Sequence, residues 1–510
     1  MSQLQELGTK TYLFEEAPLG KAVMSLAIPT VISSLVTVLY NLADTYFVSL
    51  LQDSIQNSAV TLAAPLMLAF NAVNNLFGVG SSSLMSRSLG CKDYDTVAKS
   101  SAFGFYCSLI CGLLFSLLCF VFRTPLLYLL GADENTFDAT NRYMFWTVCL
   151  GAAPTILNVV MAYLVRSEGS AMHASVGTMT GCLLNIVLDP IFIMPWGFNM
   201  GAAGAGLATF ISNCVACCYF FVLLAVKRGK TYVCVNPRKL SFDGRIVRSV
   251  CGVGVPAAIQ NLLNVTGMTI LNNFTSAYGA DAIAAMGICQ KLAQVPMYAS
   301  MGFSQGVMPL VSYNYSSGNI KRMKGGIRLA LTVSLSFMVL VTVVFVLFPE
   351  TFVRLFMDTP AVVGYGGHFL VGLILAQPFM CIDFMAVGVF QAVGLGRNSL
   401  IFAILRKIVF EIPALIVLNL IFPLYGLAYA SLWQRSSWPS RPPWFSPDLS
   451  AAWRPKRRRT ELHDGFHREN YIFPLTNLAA GGKLTKLWTA HGIVCCQAFY
   501  VGICASSSAG

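Results

Sequence analysis

Eleven apolar stretches, each about as long as a membrane-crossing helix, leave this chain few ways to fold. They centre near residues 33, 71, 110, 151, 182, 215, 261, 297, 338, 380 and 411. A hydrocarbon core of about 30 Å takes roughly 20 apolar residues per helix. Within it every backbone N–H and C=O must be satisfied by a helix or a closed barrel. The alternating pattern of barrel strands is absent from the sequence, so the stretches are predicted to be helices. Only 11% of the residues are charged, against about 25% in soluble domains, which excludes a water-soluble fold. A twelfth stretch starts at Gly426 and then breaks off.

Lysine and arginine are shared unevenly among the connecting loops. Those after helices 2, 4, 6, 8 and 10 hold 18, and those after helices 1, 3, 5, 7 and 9 hold 3. The positive-inside rule places the N-terminus and the basic stretch 227–248 in the cytoplasm. That stretch then reads as a topology signal, and no nucleic-acid partner is expected. Residues 1–21 lack the basic start and cleavage site of a signal peptide, so helix 1 is expected to direct insertion. Cys214, Cys217 and Cys218 lie in an apolar helix with no nearby histidine and read as packing residues.

The chain can be laid over itself. Pro29 aligns with Pro256, Gly90 with Gly318, Pro154 with Pro378, Gly169 with Gly394 and Gly206 with Gly426. Each copy holds an even number of helices, so the copies share orientation and are related by an axis along the membrane normal. The expected fold is an all-α polytopic membrane protein of two six-helix lobes with an incomplete twelfth helix. Its parts are a cytoplasmic segment 1–20, an N-lobe 21–228 (helices 1–6), an inter-lobe loop 229–245, a C-lobe 246–432, and a polar basic tail 433–510. The stretch SLWQRSSWPSRPPWFSPD, which runs into the tail, cannot continue the repeat as a spanning helix. A shift of reading frame near Trp433 would account for it.

Asp189 stands inside an otherwise uncharged run from Cys182 to Met194. A carboxylate at that depth costs about 2.5–3.5 kcal/mol on insertion scales, so it marks a functional site. Asn185 is four residues earlier on the same helical face, and Thr209 lies on the next helix. Asp44 ends the polar face of helix 1, following Tyr40 and Asn41. Two carboxylates, an amide and a hydroxyl suit a hard monovalent cation, or the carboxylates share one proton. In the second half, Asp383 falls where the repeat places Asn158 and is expected to face a cavity. Lys291 either pairs with a carboxylate or reaches an interface. Glu411 is expected to pair with Lys407 near the end of its helix.

These residues carry a resemblance. LNIVLDPIFI at 184–193, MGAAGAGLATFIS at 200–212, AIPTVISSLVTVLYNLADTYFV at 27–48, SRSLGCKDYDTV at 86–97 and SQGVMPLVSYNYSSGN at 304–319 resemble the multidrug and toxic compound extrusion (MATE) family. The similarity points to its bacterial multidrug branch, which includes the DNA-damage-inducible transporters, and covers about residues 15–432. The resemblance implies a V-shaped, two-lobed bundle exporting organic cations in exchange for sodium or protons. The family's N-lobe cation site maps onto Asp44, Asn185, Asp189 and Thr209. Some relatives place acids on helices 7 and 10 of the C-lobe; here helix 7 offers Gln260 and helix 10 offers Asp383.

The expected activity is a secondary antiporter, acting on amphipathic, often cationic, drugs in a bacterial plasma membrane. The chain is expected to be monomeric and lipid-embedded, with no cofactor beyond Na+ or H+ and no other metal. No GxxxxGK[ST] motif is present for ATP hydrolysis. A lipid-linked-sugar flippase would favour a cationic cavity, whereas the intramembrane charge here is mostly acidic. An intramembrane enzyme would need a histidine-containing set that His173 and His368 do not form. A chain damaged at helix 12 is the third alternative.

Overall fold

The computed structural model describes residues 11–51 and 53–436, and these are helical with no strand among them. In chain order the helices are α1 (Leu19–Ser49), α2 (Ile55–Gly90), α3 (Tyr94–Val121), α4 (Phe137–Leu150 and Ala152–Ser167), α5 (Ala171–Ile193) and α6 (Ala202–Val226). They continue as α7 (Gly244–Ser276), α8 (Ala280–Ser316), α9 (Ile320–Leu347) and α10 (Pro360–Ala392). Next come α11, built from Gly396–Ile404, Leu405–Glu411 and Ile412–Ile421, and α12 (Tyr425–Ser436). The basic tail and the reading-frame expectation attached to it lie outside the described residues, apart from the helical end of α12.

Eight of these helices are long and apolar enough to cross a membrane, or nine if the two parts of α4, bent by 46°, form one span. The eleven apolar stretches therefore divide unevenly. α8 carries Lys291, and α11 carries Arg406, Lys407 and Glu411, which cost apolarity within the helix. Leucines on α3, among them Leu113, Leu114 and Leu117, are exposed, the arrangement expected of a face that meets lipid rather than water. Single-turn π segments interrupt α2, α4 and α11.

The internal repeat reappears as a contact pattern. α1 packs on α5 and α5 on α6; likewise α7 packs on α11 and α11 on α12. Between the halves α1 lies along α8 and α2 along α7, so exchanging the halves turns one seam into the other. Gly169 and Gly394 share a left-handed backbone, φ 91° and 85°. One pairing needs correction. The conformational counterpart of Gly318 (φ 80°) is Lys92 (φ 60°), not Gly90, which is still helical. The next residues, Asp93 and Asn319, then cap α3 and α9 by accepting from the Thr96 and Arg322 N–H groups, each at 3.1 Å. The cap, rather than the glycine, sets the register.

The α1–α8 seam is close enough to need glycine. A Cβ on Gly302 would stand 2.8 Å from Val31 Cα, and one on Gly306 2.8 Å from Ala27 Cα. Gly306→Ala is therefore expected to force the seam apart and lower stability by about 1–3 kcal/mol, measured by thermal unfolding in detergent. Wild-type stability would show that the seam yields freely.

Residues 11–17 form a strap joining both halves on the face that carries the basic loops. Phe14 stacks on Tyr313 of α8 at 4.9 Å, and the Tyr313 hydroxyl donates to Glu15 at 2.6 Å. Arg322 of α9 donates to the carbonyls of Phe14, Leu13 and Ala17 at 2.6, 3.2 and 2.5 Å. On the first half's side, Lys92 approaches Glu15 at 3.8 Å, and the bare Cα of Gly169 leaves room for the Phe14 ring. The inter-lobe connection lies against the first half, with the Glu168 carboxylate accepting from Thr231 Oγ1 at 2.9 Å and Tyr232 N at 2.7 Å. α7 begins at Gly244, slightly inside the stretch read as loop.

Candidate functional site

α1 and α5 run side by side with a constant offset. Ser33 Oγ meets Thr178 Oγ1 at 2.9 Å, and Thr37 Oγ1 meets Cys182 Sγ at 3.8 Å, each pair 145 residues apart. Two contacts at one offset, one turn apart, mean that the helices are parallel and in step. Continued along both helices, the same offset puts Asp44 level with Asp189. The two carboxylates are within electrostatic range of each other and of Tyr40 and Tyr143.

Asp189 is 0% exposed and Asn185 2%. The Asn185 NH2 faces Asp189 Oδ2 at 2.8 Å, while its oxygen accepts from Thr209 N at 3.1 Å and Thr209 Oγ1 at 3.2 Å. The opposite amide orientation would give the NH2 to Thr209 and leave two oxygens facing each other. Tyr40 lies beside Thr209. Pro190 follows Asp189 and has no N–H, so the Ile186 carbonyl one turn earlier lacks a helical donor.

The tight α5–α6 connection brings these groups together. Phe198 N and Met200 N donate back to the Ile191 and Phe192 carbonyls, both at 2.9 Å. Asn199 and Gly201 adopt φ of 52° and 57°. Gln56 of α2 accepts from Ala202 N at 2.8 Å, satisfying one of the orphan donors at the start of α6. Gly181 lets α6 approach, since a Cβ there would sit 3.2 Å from Ala216 Cβ.

Asp44, Asn185, Asp189, Thr209 and Tyr40 thus share one site. Asn41 is exposed on α1. Asn158 joins from α4, donating to Asn213 Oδ1 at 3.2 Å, while Asn213 donates to the Thr209 carbonyl at 2.9 Å. Tyr143 and Asn213 were not foreseen. Asn213 is four residues past Thr209 on one helical face, a signal that was available; Tyr143 comes from a distant helix and had none.

The second half differs. Asp383 is buried and lies 3.6 Å from Arg406 of α11, an ion pair that the sequence did not signal. Arg406 is 1% exposed and also donates to Asn264 of α7 at 2.9 Å. Gln260 accepts from Gln391 at 3.4 Å. Lys407 and Glu411 pair at 2.6 Å as their spacing suggested, but in the π segment amid α11 rather than near its end. Lys291 is half-buried with no ion-pair partner among the described residues. Those residues contain no cluster of three or more metal-ligating side chains.

Fold and site together define a polytopic helical membrane protein with an oxygen-rich cluster inside its first half. The chain belongs to the MatE family, whose profile matches residues 29–191 and 256–417, two copies starting at the aligned prolines Pro29 and Pro256. It is similar to the multidrug export protein MepA of Staphylococcus aureus strain MRSA252, 34% identical over 423 residues covering 82% of this chain and 92% of that protein. Among solved structures it resembles a MATE protein in complex with MaL6, 26% identical with a TM-score of 0.78, over 85% of this chain and 95% of that one. It also resembles the outward-facing conformation of a multidrug resistance MATE family transporter of the MOP superfamily, 25% identical, with a TM-score of 0.78 and the same coverage. The chain is a transporter and not an enzyme.

Proposed function

We propose that the chain exports amphipathic, often cationic, organic compounds from a bacterial cell in exchange for Na+ or H+ bound at Asp44 and Asp189. The similarity to a multidrug export protein supports the export. The observation that carries the coupling is the burial of Asp189 beside a second carboxylate. A buried charge needs a positive partner, and among the described residues no cation pairs with Asp44 or Asp189. The partner is then a mobile ion from solution. Asp383, by contrast, has a built-in cation in Arg406, so coupling resides in the first half.

Ion binding drives transport only if the two facing states bind the ion with different affinity. Asp189 on α5 and Thr209 on α6 are joined through Asn185, and Asp44 comes from α1, so any shift of α1 against α5 changes the ion's oxygen shell. The organic compound, not a nucleic acid, is the partner, and the chain works as a lipid-embedded monomer without a further cofactor. Its N-terminus and basic loops face the cytoplasm.

The test is uptake of a fluorescent organic cation by inside-out vesicles under an imposed Na+ gradient, an imposed pH gradient, or neither. Accumulation under one gradient alone names the ion. Equal transport with no gradient would overturn the antiporter reading.

A further inference from the structure

A cavity of ≈ 470 Å³ lies on the face opposite the basic loops, lined among others by Arg123, Asn141, Arg142, Phe145, Trp146 and Asn199. Arg123 opens the short helix Arg123–Leu129 that follows α3, Asn141 to Trp146 belong to α4, and Asn199 lies in the α5–α6 turn. Large apolar side chains surround the region in sequence and stand exposed: Phe120, Phe122, Leu129, Trp196 and Phe198. Trp196, an amphipathic ring in such a position, marks the level of lipid headgroups.

The internal repeat supplies a control. The second half also places an arginine, Arg354, on a short helix after α9. Arg354 is flanked by Glu350 at 3.7 Å and Asp358 at 3.9 Å. Arg123 has no carboxylate partner among the described residues and lies over the Phe120 ring, at 5.9 Å from its centroid. The second cavity arginine, Arg142, pairs with Asp138 at 2.8 Å, but both side chains are exposed, and such a pair is worth only about 0.3–0.5 kcal/mol. It yields readily to a competing anion. Asn141 Oδ1 is buried and accepts no hydrogen bond among the described residues, so the cavity offers two guanidinium groups and one idle acceptor.

We propose that this cavity binds the headgroup of an anionic glycerophospholipid that carries hydroxyls, of the phosphatidylglycerol type. Its phosphate meets Arg123 and Arg142, guanidinium forks being suited to phosphate oxygens. A headgroup hydroxyl donates to Asn141 Oδ1, and the acyl chains leave along the exposed aromatic rim. One lining residue of the cavity also packs on the helix that carries Thr209. Trp146 packs on Phe210 with ring centroids 6.1 Å apart, and Phe210 adjoins Thr209. A Cβ on Gly206, one turn before Phe210, would meet Trp146 Cβ at 3.2 Å. A seated headgroup thus buttresses the part of α6 that carries Thr209.

The experiment is native mass spectrometry of the full chain released from nanodiscs of phosphatidylcholine with or without phosphatidylglycerol, comparing wild type with R123Q, N141L and R354Q. One retained phosphatidylglycerol is expected on wild type and R354Q. R123Q should weaken retention about fivefold, as removal of one headgroup charge contact does, and N141L should weaken it with no change of charge. Equal retention by wild type and R123Q, or retention of phosphatidylcholine as well as phosphatidylglycerol, would overturn the proposal. A parallel titration with inorganic phosphate in detergent separates the sources. Binding of phosphate alone that is lost in R123Q, without lipid retention, would make this a soluble-anion site and also overturn it.

Discussion

Asp189→Asn should leave a chain that inserts and folds but no longer converts an ion gradient into export. Asparagine keeps the shape of the side chain and can still accept from Asn185, so the α5–α6 packing around Gly181 stands. What disappears is the charge proposed above to hold the ion. Coupling free energies between sites are typically about 1–3 kcal/mol, or 5–150-fold in affinity, and gradient-driven efflux should fall by that order. The measurement is vesicle accumulation of a fluorescent cation alongside thermal unfolding. Undiminished gradient-driven efflux in D189N would remove Asp189 from the mechanism. A variant that unfolds would not count as support, and Asp44→Asn then gives the same test from the α1 side.

The second large effect belongs to the other half. Arg406→Met should lower stability by about 3–5 kcal/mol, because it removes one member of the buried Asp383–Arg406 ion pair. The double variant D383N/R406M should recover most of that loss, since replacing both members of a buried ion pair is often neutral. Thermal unfolding in detergent reads both. Equal loss in the single and double variants would show that Arg406 acts through packing, or through Asn264, rather than through Asp383.

These two halves also mark what was legible in the sequence. Asn185 and Asp189 are four residues apart and Thr209 lies just past a short turn, so local spacing brought three of the site's groups together. Asp44 belongs with them because α1 and α5 run parallel at a constant offset, which the repeat of hydroxyl and thiol residues along both helices encodes only once the helices are known to touch. Tyr143 joins from a third helix, and no local pattern signals such a meeting. The Lys407–Glu411 pair was visible as an i, i+4 spacing. The Asp383–Arg406 pair spans two helices and was not, so the sequence placed no cation beside Asp383. The repeat was legible in its prolines and in Gly169 and Gly394. Its register near Lys92 was not, because glycine composition is a weaker marker of a left-handed position than the capping residue that follows it.

The strap at residues 11–17 fastens the two halves to each other on one face. Its carbonyls are held by Arg322, which alone makes three hydrogen bonds to it, and its aromatic ring is wedged between the halves. If the halves part on that face, this clasp has to unfasten first. An agent that captured the released segment would stabilise the parted form by mass action, holding the transporter in one state without ever entering the membrane.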